Sequence, residues 1–248
     1  GLCELIYRPM STTSWAYPSD ATSPYYAFDQ TGYEIKQLLE DDGYELVDGV
    51  YQKNIDGFGL DRLSGQNYSL TIAGGSTDHP AYALFLKAAD ILTKVGIEVK
   101  VVTSQTALSD LSAGKLPIWA AAWSSTIDPD MYQVYHMDSL ASSTSNWGYK
   151  QIKAGKNTEA YSDEYNLIVE LSALIDAGRS TTDQDERTEI YKQALDLIME
   201  LAVEMPTYQR KDMAAYNKTV LDESTMTPEK DRSPYNGLIS RIWELSYN

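Results

Sequence analysis

The sequence is poor in the residues that most metal, redox and general-base sites use. Among 248 residues there is one cysteine, Cys3, and there are two histidines, His79 and His136. A single cysteine excludes an internal disulfide but leaves the compartment open. No HExxH, CxxC, G-x-S-x-G or phosphate-loop pattern occurs, so the chemistries those motifs serve have no foothold. Gly57-Phe58-Gly59 is too short for a dinucleotide fingerprint, and no helical pattern follows it. Each isolated histidine fits a surface or capping role better than a ligand role. The expectation from these absences is no enzyme, no cofactor and no metal. Cations are scarce as well: 20 Lys and Arg against 36 Asp and Glu, a formal charge of −16. That balance excludes sequence-independent nucleic-acid binding, which needs cations to neutralise phosphates. It equally speaks against electrostatic docking on an anionic membrane. No apolar run reaches the roughly 20 residues of a membrane span, so no direct membrane insertion is expected. No basic and apolar leader precedes Cys3, which argues against lipid attachment there.

What the chain does have is ordinary globular content, 43% hydrophobic and 23% charged, with an unusual aromatic balance of 19 Tyr and 5 Trp against 3 Phe. Tyr and Trp combine an apolar face with a polar tip, which suits ligand grooves and wet interfaces as well as cores. Residues 1–29 carry Pro9, Pro18 and Pro24 and read as extended chain and turns. From Gly32 to Asp42, Ile35, Leu38 and Leu39 share a helical face, and Gly43 stands where a stop is needed. Asp48-Gly49 predicts a hairpin turn. The strand 68–73 is followed by a helix over 79–95, whose stripe is Ala81, Leu84, Ala88, Ile91 and Val95. Then come a strand over 97–102, a short helix ended by Gly114, and the apolar run 116–123. That run suits a strand buried on both faces of a sheet. Strands alternating with helices in this order predict βαβ crossovers and a mostly parallel sheet.

The second half reads as helical. A helix over 162–178 has Ser162 as cap and Gly178 as stop. A second, over 181–205, has a Thr181/Gln184 capping pattern, an inner stripe of Ile190, Ala194, Leu197 and Leu201, and Pro206 closing it. Residues 207–217 read as a strand, and the rest is loop-rich. No internal repeat is present. Asp128-Pro129-Asp130 reads as a helix start, with Asp as N-cap and Pro at the first helical position. The same residues could instead be paired carboxylates for acid/base work, which keeps a glycoside hydrolase-like enzyme as an alternative.

An ordered set of segments carries a family resemblance: LLEDDGYELVDGVYQ, YSLTI, LFLKAADILTKVGIEVKVV, PIWAAAWSSTIDPDMYQVY, YNLIVELSALIDAG and DERTEIYKQALDLIMELAVEMP, with Arg187, Tyr191 and Pro206 among its marks. From about Phe28 to Tyr216 the chain resembles the extracytoplasmic solute-binding proteins that feed ABC importers of the peptide/nickel/oligosaccharide class. The resemblance implies an α/β fold, a mostly parallel sheet flanked by helices, as in the second lobe of a type II periplasmic-binding-protein-like fold. It implies that 1–211 is the C-terminal, ligand-binding lobe of a two-lobe parent, and that 212–248 returns toward a first lobe. It also implies an oligopeptide ligand, with oligosaccharide as the alternative, and an ABC permease as partner. The location implied is the periplasm or cell surface, with a lipid anchor on the full-length protein. Carried onto this sequence, the ligand-lining positions are Ala122, Trp123, Ser124, Ser125 and Thr126, with Asp128 and Trp147 nearby. Peptide-binding members place an aspartate shortly after the Trp. Here Ser125 or Thr126 stands at that position, and neither offers a charge to a ligand ammonium. Trp123 serves equally well as a groove wall or a core wedge.

Overall fold

The structure, a computed structural model, describes residues 2–24, 31–73, 76–120, 122, 126–141, 149–155, 161–233 and 235–248. In chain order its elements are β1 (Cys3–Leu5), α1 (Tyr33–Asp41), β2 (Glu45–Val47), β3 (Val50–Ile55), β4 (Gly59–Arg62), β5 (Ser69–Ala73) and α2 (Pro80–Lys94). There follow β6 (Lys100–Ser104), α3 (Ala107–Ser112), β7 (Ile118–Ala120), α4 (Tyr132–Tyr135), α5 (Lys150–Ala154), α6 (Ser162–Ser180), α7 (Gln184–Leu201) and β8 (Tyr208–Arg210). They fall into two compact units: 25–123 with 140–148, and 1–24 with 124–139 and 149–248.

Turn chemistry shapes the first unit. Helix α1 ends where the Gly43 N–H donates to the Glu40 carbonyl at 3.0 Å and the Tyr44 N–H to that of Leu39 at 2.9 Å. These two bonds satisfy carbonyls that have no partner further along the helix. Ile35 and Leu39 are half-buried, whereas Leu38, the third member of the expected stripe, is exposed. Asp48 and Gly49 both take positive φ, 51° and 78°, as a two-residue hairpin turn between β2 and β3 requires. Strand β4 pairs antiparallel with the other side of β3 and makes a third strand, which the sequence reading did not include. Asp61 on β4 accepts hydrogen bonds from the Tyr44 and Tyr68 hydroxyls at 2.7 and 3.0 Å.

The same unit holds the parallel sheet, in the order β6-β5-β7. Helix α2 packs on β5 and β6, and α3 on β5. His79 caps α2 by accepting from the Ala81 N–H through Nδ1 at 3.1 Å, and Pro80 follows at the first helical position. Of the expected α2 stripe, Leu84 is exposed, while Ala81 and Val95 are buried. Strand β6 starts three residues later than read. The larger correction concerns β7. It spans 118–120 only, stands at the edge of the sheet among the described residues, and leaves Ile118 41% exposed. The interior strand is β5, whose consecutive residues Leu70, Thr71 and Ile72 are all buried. Successive strand residues point to opposite faces, so burial of all three means both faces of β5 are covered.

In the second unit, α6 and α7 form an antiparallel pair around Ile168, Leu171, Ile175, Tyr191, Ala194, Leu195 and Ile198, all buried. Gly178 does not stop α6. It lies inside the helix, and a Cβ there would sit 2.3 Å from Cε1 of Tyr191, so only glycine admits that ring. Helix α7 is capped by Asp183 rather than Thr181. Its carboxylate accepts from the Asp185 and Glu186 N–H groups at 2.9 and 3.0 Å, and Thr181 instead donates to Glu186. Of the expected stripe Ala194 is buried, but Ile190, Leu197 and Leu201 are half-buried, and Tyr191, Leu195 and Ile198 turn inward in their place. The helix ends at Leu201, because Ala202 turns left-handed, φ 52°, before Pro206 is reached. The N-terminal segment packs here. Arg8 pairs with Asp196 at 2.7 Å, and the Trp15 ring stacks on Tyr191 with centroids 6.2 Å apart. Strands β1 and β8 pair antiparallel, joining chain segments about 200 residues apart. The expected strand over 207–217 is therefore only its first part. Residues 212–248 form three short 3-10 turns around buried Met226 and Thr227.

Candidate functional site

The sheet's connectivity marks one edge. The chain runs from β5 to β6 on one side, then crosses to β7 on the far side of β5. Neighbouring strands whose connections diverge in this way leave a crevice beyond their carboxyl ends, and open α/β sheets bind ligands there. The divergence falls between β5 and β7. Ala122 lies two residues past the end of β7 and is exposed. Trp119, inside β7, is half-buried. Trp123, Ser124, Ser125 and Trp147 lie outside the described residues.

The chain beyond that edge enters the second unit. Thr126 is exposed, and its hydroxyl donates to the Asp128 carbonyl at 2.5 Å. Asp128 is not a helix cap. Both of its carboxylate oxygens accept from Arg187 of α7, at 3.1 and 2.9 Å. The capping role falls to Asp130, whose carboxylate accepts from the Tyr132 N–H at 3.0 Å as α4 begins. The two carboxylates therefore do not work as a pair: Asp128 meets Arg187, and Asp130 meets Arg179 at 3.2 Å. Such charge-assisted, two-point bonding as that of Asp128 is the strong form of an ion pair. Arg187 also donates to the Gly178 carbonyl at 2.8 Å and to the Tyr191 hydroxyl at 3.1 Å, and it lies over the rings of Trp15 and Tyr191. Its pKa is raised above the ordinary guanidinium value, chiefly by the bond to Asp128. Burial raises that of Tyr191, an effect Arg187 partly opposes. A small cavity of about 200 Å³ opens beside this cluster, lined by Trp15, Ile127, Thr182 and Gln184.

The other histidine behaves differently from His79. His136 is buried, stacks on Tyr132 with centroids 4.3 Å apart, and accepts from the Asp138 N–H through Nδ1. A larger cavity, about 500 Å³, lies along the parallel sheet and is lined by Ser69, Thr71, Lys100, Val102 and Lys115. It does not include Ala122, so size alone does not choose the site; the connectivity does. No group of three or more His, Cys, Asp or Glu that could hold a metal ion occurs among the described residues. No helix of the described residues is long and apolar enough to cross a membrane.

Known proteins resemble this chain in sequence and fold. The chain is 26% identical over 180 residues to the oligopeptide-binding protein AppA of Bacillus subtilis (strain 168), a match covering 66% of this chain and 31% of the relative. The two proteins are homologues. The solved structure of AppA, in complex with a nonapeptide, superposes with a TM-score of 0.63 at 19% identity, covering 99% of this chain and 43% of that one. An oligopeptide-binding protein from Thermus thermophilus, complexed with a pentapeptide, gives a TM-score of 0.61 at 17% identity, covering 85% of this chain and 34% of that one. NikZ from Campylobacter jejuni, complexed with Ni(L-His), gives 0.56 at 19% identity, covering 99% and 44%. The fold is thus that of part of a peptide- or nickel-type ABC substrate-binding protein. The chain spans about a third of the length of the curated relative and less than half of each solved neighbour. No family model matches it.

Proposed function

We propose that the chain is the ligand-binding part of an extracytoplasmic solute-binding protein that passes an oligopeptide to an ABC permease. The observation that carries the reading is the divergence of strand connections between β5 and β7, with β7 leading directly into Ala122–Thr126. In this reading Trp123 offers a ring face to the ligand, and the backbone of 122–126 pairs with an extended peptide as an added strand. Trp147 flanks the site, and Asp128 holds the segment in place. The homology to an oligopeptide-binding protein supports a peptide over other solutes. The absence of a carboxylate at 123–127 favours ligands that present no free ammonium to this segment, because an unpaired buried cation is costly. The hydroxyls of Ser124, Ser125 and Thr126 would also suit an oligosaccharide, which is the alternative outcome of the test.

The proposed mechanism is closure of two lobes around the ligand, whose greater affinity for the closed state shifts the population toward it. Residues 212–248 belong to the return toward the other lobe, a reading supported by exposed Ile239, Ile242, Trp243 and Tyr247. The 248-residue chain alone holds only part of the ligand contacts, so calorimetric titration with a nonapeptide is expected to show no sub-micromolar binding. The deciding experiment is mass spectrometry of small molecules that co-purify with the chain expressed together with its flanking sequence. Peptides are the expected cargo. Oligosaccharides would replace the peptide reading, and a nickel complex would overturn both.

A further inference from the structure

We infer that Arg187 is the positioning residue of the segment that follows β7: from α7 it fixes Asp128, and through Asp128 it fixes Thr126. The functional weight of this inference rests on the reading of 122–126 as ligand-facing; the anchor itself does not.

Four hydrogen bonds leave the guanidinium, and two of them go to Asp128. The direction of control follows from burial. The Arg187 side chain is 18% exposed and stands on an 18-residue helix, whereas the Asp128 side chain is 56% exposed and stands in a loop. The arginine is itself held from several sides, by the Gly178 carbonyl, the Tyr191 hydroxyl and the rings of Trp15 and Tyr191. A group fixed in this way defines where its exposed partner must sit. Thr126 then follows, since its hydroxyl is bonded to the Asp128 carbonyl. Pro129, buried just beyond, stiffens the same stretch by fixing its own φ. Lysine could supply the charge but not the planar fork or the ring contacts. The arrangement therefore calls for arginine specifically.

The test uses the full chain and four variants: Arg187→Met, Arg187→Lys, Asp128→Asn and the Arg187→Met/Asp128→Asn double. Hydrogen exchange over 126–131 and the methyl resonance of Thr126 are read, with amides of Leu171 and Leu195 reporting the helical core. Arg187→Met and Asp128→Asn are each expected to speed exchange over 126–131 about tenfold and to move the Thr126 methyl to one shared position. The double variant should add nothing further, because both changes cut one link. Arg187→Lys should recover less than half of the protection. Asp128→Asn leaves the helix pair untouched, so the test survives if Arg187→Met folds poorly. The inference is overturned if exchange over 126–131 is unchanged in Asp128→Asn. It is equally overturned if the two single effects add in folded variants, or if Asp128→Asn loosens Leu171 and Leu195 as much as 126–131. A nonapeptide titration of the unmodified chain that gives saturable shifts elsewhere and leaves the Thr126 methyl unmoved removes the ligand role of the segment, while these variant results still decide the anchor.

Discussion

The α6–α7 pair and the β6-β5-β7 sheet solve the burial problem in opposite ways. The helix pair seals its contact completely: Leu171, Ile175, Tyr191, Ala194, Leu195 and Ile198 are each fully buried. The sheet seals only its middle strand. Leu70, Thr71 and Ile72 of β5 are buried, while Val102 of β6 and Ile118 of β7 stay 39% and 41% exposed. Parallel sheets are normally covered on both faces. The contrast assigns stability to the helices and leaves the sheet's outer strands, and Ala122 beyond β7, accessible. A binding edge needs that accessibility, because a ligand cannot reach a sealed rib.

Substitutions can break or sharpen this contrast. The widest gap is expected between Ile198→Ala and Ile118→Ala. The first opens a cavity in a sealed core and should cost about 3–4 kcal/mol, and the second, half in solvent, under about 1 kcal/mol. Chemical denaturation of both variants measures the difference, and equal losses would erase the contrast. Next in size is Gly178→Ala. It forces a methyl against the Tyr191 ring, so a loss of about 2 kcal/mol is expected even though alanine is the better helix former. Asp183→Ala removes the only described side-chain cap of α7 and should lower stability by about 1 kcal/mol, read as a fall in melting temperature.

The smallest expected effect lies in the hairpin sheet. Burial, then the bond to Asp61, pushes the Tyr68 hydroxyl up to about 12, and the same causes raise Tyr44 further. A phenol whose folded pKa lies above its unfolded value near 10 stabilises the fold fully below about pH 10. That contribution is lost as pH rises toward about 12. Tyrosinate absorbance should therefore show a late-titrating fraction, and Asp61→Asn should move that fraction to lower pH.

Much of the fold was legible where it depends on local rules. The Asp48-Gly49 turn, the Gly43 stop, the βαβ order and the positions of α2, α6 and α7 follow from neighbours a few residues apart. What was misread depends on distant chain. The apolar run at 116–123 cannot reveal whether a further strand lies outside it, so β7 looked interior. The α7 stripe was drawn through Ile190, whereas Tyr191 takes the inward place because Trp15, far away in the chain, and Arg187 supply its partners. The β1–β8 pairing has no local signal at all. In the candidate site, Ala122, Thr126 and Asp128 could be named from a resemblance, and their role in binding is a proposal. The partner of Asp128 could not, because Arg187 lies 59 residues away. Arg187 and Asp128 were both visible as marks of a resemblance, and only the folded chain joins them.

The most direct test of the proposal that 122–126 faces the ligand is a methyl-resolved titration of the chain with an unlabelled nonapeptide at millimolar concentration. Saturable shifts at Ala122 and Thr126, with the buried methyls of Leu171 and Ile198 unmoved, are the expected result. Saturable shifts that cluster elsewhere, with Ala122 and Thr126 still, would contradict the placement of the ligand at the carboxyl edge of β7.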